Sequence, residues 1–235
     1  MNPKLCTRCG SPIDPALILH PVALCIKCTT SFESEASLLE KYYNPSPKTV
    51  QGIQLLLEGL KETYPQLNLE TEHFNQTPHR VARMFTEVCW GLAIDEKKLM
   101  QTSFEEDTYS GIVAVTNIGF TSLCKHHFAI FRGIAHVGYI PDKRLIGLSK
   151  INRLVETIAA RPQVQEHITH QIAETIDTTI FPKGVAVMLE GSHDCIEVRG
   201  VKSKGSVTKT SEMRGCFLEN SKNCKEEFFE MVKGK

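Results

Sequence analysis

The sequence predicts an α+β protein with an antiparallel sheet covered by helices on one face, and three observations predict it. Apolar residues recur at helical spacing in 49–64 and 77–88, and again after residues 149 and 162. β-Forming residues fill 111–118 and 129–140, then 184–190 and 195–201. A helical hairpin between two strand pairs is the order of an α+β layer. The organisation expected is an extension and linker over 1–47, a helical region over 48–110 and the sheet-bearing domain over 111–235.

In the helical region, Val50, Ile53, Leu56, Leu57 and Leu60 form a stripe, with Glu58, Lys61 and Glu62 outside it, as for a helix lying on a core. Thr77-Pro78 supplies a capping residue followed by proline, and Val81, Met84, Phe85 and Val88 form the expected buried face. Arg80 falls in that opening turn, where backbone N–H groups favour anions. Farther on, Phe131, Ala135, Val137 and Tyr139 alternate along a strand. Ser149 reads as the N-cap of a helix whose face is Ile151, Leu154, Val155 and Ile158. The next helix is expected from Pro162, carrying Val164, Ile168, Ile172 and Ile176. Residues after 201 read as a polar, threonine-rich segment to Phe217.

The chain has 235 residues, zero formal net charge and 41% hydrophobic content, so no whole-protein electrostatic grip on nucleic acid or acidic lipid is expected. No apolar run is long enough to span a bilayer, and the first residues lack the layout of a secretory signal. A cytoplasmic location follows as the expectation, and there nine cysteines read as thiols and metal ligands rather than disulfides.

Two cysteine patterns carry chemistry. Cys6-x2-Cys9 and Cys25-x2-Cys28 can close a tetrahedral four-thiolate zinc site, whose usual work is to fold a segment too short for its own core. Incidental thiols or a redox pair are the alternatives. The few cations nearby (Lys4, Arg8, Lys27) favour a stability or protein-contact module over nucleic-acid binding. In Cys124-Lys125-His126-His127, a thiolate and an imidazole three residues apart can meet one metal from a single turn. Cys195 would complete a set of two Cys and one His, the set of a catalytic zinc with one position left for water. His126 and His193 flank these ligands and are proton-transfer candidates.

Five motifs then resemble the type I GTP cyclohydrolase family over about residues 48–232. They are Thr77-Pro78-x-Arg80-Val81-Ala82, Cys124-x-His126-His127, Gly147-Leu148-Ser149-Lys150-Ile151-x-Arg153, Arg161-Pro162-Gln163-Val164-Gln165-Glu166 and His193-x-Cys195-x3-Arg199-Gly200. The resemblance implies a tunnelling (T-) fold, with sheets closed into a barrel by neighbouring subunits, and a homodecamer of two pentamers. It implies zinc-dependent opening of the guanine of GTP at C8, giving 7,8-dihydroneopterin triphosphate and formate.

By motif position, Cys124, His127 and Cys195 match the zinc ligands, His193 the principal acid/base and His126 its assistant. Gln165 and Glu166 match the guanine-reading residues. Arg80, Lys150, Arg153 and Arg199 match phosphate contacts, and Ser149 the hydroxyl at the ribose end. The downstream pathway stays open between folate, a reduced pterin cofactor and 7-deazaguanine nucleosides. Two departures are evident: the cysteine-rich extension, and Lys125 where the family usually has an acidic residue. The rival readings are a family member making another pterin, such as a cyclic phosphate, from GTP, or a binding module on an inactive scaffold with the zinc ribbon as its working part.

Overall fold

The computed structural model describes residues 44–100, 103–105, 108–219 and 223–233. The extension carrying Cys6, Cys9, Cys25 and Cys28 lies outside the described residues. The chain divides into two compact units at Glu87/Val88.

In the first unit, helix α1 (Pro47–Thr63) begins at Ser46, whose side chain accepts from the Lys48 N–H, with proline in the opening turn. The helix forms as its spacing predicts, but its stripe is only partly covered: none of its residues is buried, Val50, Ile53 and Leu57 are half-buried, and Leu56 and Leu60 are exposed. A second helix, α2 (Thr77–Val88), carries the chain into the other unit. Its first carbonyl acceptor is Gln76, which takes the Arg80 N–H, so the cap lies one residue before Thr77. The Thr77 hydroxyl instead donates back to the His73 carbonyl.

The second unit continues through a 3-10 turn (Trp90–Ala93), α3 (Glu96–Leu99), β1 (Ser103–Glu105), β2 (Val113–Cys124), β3 (Ile130–Ile140) and β4 (Arg144–Ile146). Then follow α4 (Leu148–Ala159), β5 (Pro162–Gln163), α5 (Gln165–Ile180), β6 (Gly184–His193), α6 (Asp194–Glu197), β7 (Thr208–Gly215) and α7 (Cys224–Lys233). The main sheet runs β5-β2-β3-β6-β7, antiparallel throughout except for β5 beside β2. This is a mixed α+β architecture, as the sequence predicts.

Three expectations need correction. Ser149 is not the cap of α4; Gly147 is, and Ser149 lies within the first turn without a capping hydrogen bond. Pro162-Gln163 does not start a helix but pairs with Leu123-Cys124 as a short parallel strand, and α5 starts after Val164. No strand covers 195–201: Asp194–Glu197 turn helically, helped by two acidic residues in the first turn, and the strand follows at Thr208–Gly215. Its threonines alternate, which was the missed signal, since β-branched residues suit a half-buried strand.

The main core lies between one sheet face and the α4–α5 hairpin. Phe131, Ala135, Val137 and Tyr139 of β3 and Val185, Val187 and Leu189 of β6 meet Ile151, Leu154, Val155 and Ile158 of α4 and Ile168, Ile172 and Ile176 of α5. A bulge in β2 keeps that strand in phase: Val115 opposes Val137, but Ile118 opposes Ala135, so one extra residue intervenes. Asn117, with φ 58°, takes up the kink, and Ile118 and Phe120 thereby reach the core.

The opposite face is not bare as the sequence suggested. There Ile112, Ile140, Ala186, Phe217, Cys224 and Phe228 form a second cluster beneath α7. Phe228 is fully buried, so Phe228→Ala is expected to cost about 3–5 kcal/mol. Chemical denaturation of the purified protein reads this directly, and a loss below about 1 kcal/mol would show that α7 does not cover this face.

Candidate active site

Sheet register builds the site. Leu123 of β2 opposes Ile130 of β3, and Phe131 of β3 opposes His193 of β6, so the end of β2 and the end of β6 meet across one strand. Cys124 closes β2, and its N–H donates to the Ala129 carbonyl. Its own carbonyl accepts from the His127 and Phe128 N–H groups, making a tight turn that Phe128 completes at φ 52°. Cys195, in the first turn of α6, arrives from the other side.

The ligand atoms of Cys124, His127 and Cys195 consequently lie within 4.8 Å of one another, and Cys124 Sγ is 3.9 Å from His127 Nδ1. Both cysteines are buried, whereas His126 and His127 are exposed. Two soft sulfurs and an imidazole at this separation fit a zinc-like ion. Burial and the nearby Cys124 thiol push the Cys195 thiol above its ordinary value. A divalent cation between the sulfurs would relieve that pressure by favouring the thiolates.

His193 stands beside this group. Its ring stacks on Phe131, centroids 4.4 Å apart and planes 8° apart, and its Nε2 is 2.9 Å from Gln165 Oε1. Burial holds its imidazole below the usual range, opposed by the charges of Glu166 and Glu197. The structure therefore brings Glu166, exposed in the first turn of α5, within electrostatic reach of His193. Short β5 explains why: Cys124 opposes Gln163, which sets the start of α5 against the metal turn.

Gln165 is different from Glu166. It is 1% exposed, and its amide Nε2 faces three acceptors, the carbonyls of Leu189 and Thr208 and Thr210 Oγ1, with its two N–H groups. The remaining candidates are less tightly gathered. Ser149 is exposed on α4 and Lys150 and Arg153 are half-buried there, Arg153 close enough to Glu156 to counter the upward push of burial on that carboxyl. Arg199 is exposed just after α6. Of these four, Arg199 acts on the Cys195 thiol through its charge, which favours the thiolate. Arg80 is exposed in the first unit, where Asn44, Pro45, Gln76, His79, Arg80 and Arg83 line a cavity of about 420 Å³.

Sequence reasoning missed two supports. Phe131 was read only as core, because nothing but the strand register reveals its stacking on His193. Arg161, read only as part of a motif, ties the turn before α5 to the 3-10 turn and α3. Its Nε donates to Gly91 O at 3.0 Å, and its Nη2 to Ile94 O and, at 2.7 Å, to Glu96 Oε2. Gly91 must be glycine here, since a Cβ would collide with the Thr157 and Ala160 carbonyls.

Burial works to raise the Glu96 pKa, but the Arg161 hydrogen bond and charge outweigh it and hold the carboxyl below its usual range. A depressed folded pKa gives stability that is fully present above the unfolded value of about 4.3 and is lost as pH falls through the folded value. Glu96→Gln is thus expected to cost about 1–2 kcal/mol at pH 7, with the difference from wild type shrinking below about pH 4. Denaturation curves at both pH values test this, and an equal deficit at each would exclude the ion pair as its source.

Comparison with known proteins adds an independent line. A family model described as GTP cyclohydrolase I matches residues 56–233. GTP cyclohydrolase 1 of Hydrogenobaculum sp. (strain Y04AAS1) is 41% identical over 187 residues, 79% of this chain and 97% of that protein. GTP cyclohydrolase 1 of Aquifex aeolicus (strain VF5) is 44% identical over 80% of this chain and 96% of its own length. The protein of the same name from Sulfurihydrogenibium sp. (strain YO3AOP1) is 44% identical over 79% and 94%.

Proposed function

The chain belongs to the GTP cyclohydrolase I family, and from that premise we propose that it hydrolyses GTP at C8 of the guanine to give 7,8-dihydroneopterin triphosphate and formate. The observation that carries this reading is the convergence of Cys124, His127 and Cys195 with His193 alongside. Cys124, His127 and Cys195 would hold a zinc ion, which would supply a hydrolytic nucleophile at neutral pH.

The chain's own residues do the rest. His193 passes a proton to the imidazole part of the purine near N7, and His126, exposed on the same turn as the ligands, assists the later hydrolytic and ribose steps. Glu166 accepts from N1–H and the 2-amino group of guanine, a pair that adenine does not offer. Lys150, Arg153 and Arg199 take the triphosphate and Ser149 the ribose end; Arg80, in the N-terminal turn of α2, is a phosphate contact by its motif position alone.

The antiparallel sheet with helices outside it supports a T-fold, in which neighbouring subunits would complete a barrel and a decamer of two pentamers. Leu56 and Leu60, exposed on the apolar stripe of α1, support burial in such an assembly. The extension is read as a four-cysteine zinc ribbon that adds stability or protein contact. No helix among the described residues is long and apolar enough to cross a membrane, and a cytoplasmic location is the reading adopted. The product would enter folate, reduced pterin or 7-deazaguanine synthesis.

Incubation of the zinc-loaded protein with GTP tests the reaction. Near-ultraviolet absorbance of a pterin together with formate release is the expected result. A folded, metal-replete protein that releases neither would refute the assignment. A product lacking the triphosphate chain would favour another pterin.

A further inference from the structure

We propose that Gln165 is a positioning residue, whose side-chain amide grips His193 by its Nε2–H and so leaves Nδ1 as the nitrogen that exchanges the proton with substrate. The inference rests on the reading of His193 as the acid/base. It departs from the motif match, which puts the Gln165 side chain on guanine.

The orientation of the amide follows from its surroundings. Nε2 lies 3.0 Å from the Thr208 carbonyl and 3.3 Å from the Leu189 carbonyl, two groups that can only accept. Turning the amide over would set Oε1 against both oxygens. The amide therefore donates on that side and presents Oε1 to His193 at 2.9 Å. An amide oxygen cannot donate, so Nε2 of His193 must carry the hydrogen, and in the neutral ring the lone pair stands on Nδ1. Phe131 fixes the plane of the same ring by stacking on its face.

Gln165 is itself locked. Thr210 Oγ1 lies 3.1 Å from its Nε2 and 2.6 Å from Thr169 Oγ1, and Thr169 Oγ1 donates to the Gln165 carbonyl at 2.9 Å. A side chain held at both ends and 1% exposed suits a fixed support better than a group that must meet incoming substrate. Gly191 is a second, independent sign. A Cβ there would press into Gln165 Oε1 and come within 3.5 Å of His193 Nε2, so the space is kept clear for this contact.

The test is steady-state kinetics on Q165A, H193A, the double variant and G191A, with metal content and thermal midpoint measured for each. Q165A is expected to lose about 10–100-fold in kcat, the usual cost of removing the hydrogen-bonded partner that orients a functional group, with KM for GTP little changed. Because Gln165 acts only through His193, the double variant should match H193A within about twofold. G191A, which keeps every atom of the amide but displaces its oxygen, should also lose kcat. It carries the test if Q165A does not fold.

A raised KM with kcat retained in Q165A would return Gln165 to guanine recognition and overturn the proposal, as would losses that multiply in the double variant. Unimpaired kcat in G191A would overturn it too. A crippled H193A beside an unimpaired Q165A sinks this proposal alone. An H193A of undiminished kcat sinks the acid–base reading, and the proposal with it.

Discussion

Cys195→Ala is expected to abolish both metal retention and turnover, with kcat falling by well over about 100-fold, the upper end of what loss of an outer partner costs. The ligand atoms of Cys124, His127 and Cys195 lie within 4.8 Å of one another, and Cys195 is the member brought from a distant strand end. Its removal leaves one turn to hold the ion by itself, a thiolate and an imidazole with no third partner. Cys216→Ala, a half-buried thiol outside the group, serves as the control and should keep metal and activity. The decisive comparison is chelation followed by zinc addition. Wild type and the control regain activity and bound zinc, and the Cys195 variant regains neither. Full recovery by the variant would mean that Cys195 is not a ligand.

The second large effect is expected at Glu166. In the proposed function its carboxylate would offer two acceptors to the two donors on one edge of guanine, and Glu166→Gln would turn one acceptor into a donor aimed at a donor. A site that leaves such a partner unpaired discriminates by about 10⁴-fold, so a loss of that order in kcat/KM for GTP is expected, with zinc content and folding intact. The same charge acts on His193, so the variant also removes one influence that raises the imidazole pKa against the effect of burial. Kinetics with GTP and metal analysis separate the causes. A variant with normal kcat/KM would place guanine recognition elsewhere.

Much of the site was legible because chemistry-bearing residues sit in short local motifs. The turn Cys124–His127 needs only its own spacing to place a sulfur and an imidazole together. The buried faces of α4 and α5 follow from the 3.6-residue period, and Ile151, Leu154, Ile168 and Ile172 are all fully buried. Where the reading failed, the deciding force was not local. Residues 195–201 carry alternating apolar positions, yet the strand had already ended at His193, and Asp194 and Glu197 favoured a helical turn. The Ser192 hydroxyl donates to Glu197 across that turn at 2.6 Å.

Thr208–Gly215 shows the converse. A polar segment became a strand because β6 offered a free edge along most of its length, from Gly184 opposite Gly215 to Gly191 opposite Thr208. Backbone groups gain partners there whatever the side chains are. The β2 bulge is equally silent in the sequence: one extra residue at 116–117 resets which side chains face the helices, and only pairing with β3 reveals it.

The sequence by itself determined the candidate ligand types, the buried faces of α4 and α5, the α+β class and the family. Tertiary structure decided which groups meet: His193 on Phe131 through strand register, Gln165 on His193 through the short β5 that sets the start of α5, and Glu96 under Arg161 through the close approach of Gly91. Identity and period are properties of neighbours along the chain, and a sequence states them outright. Contact between strand ends is a property of register and closure, settled by the balance of burial and hydrogen bonding over the whole sheet.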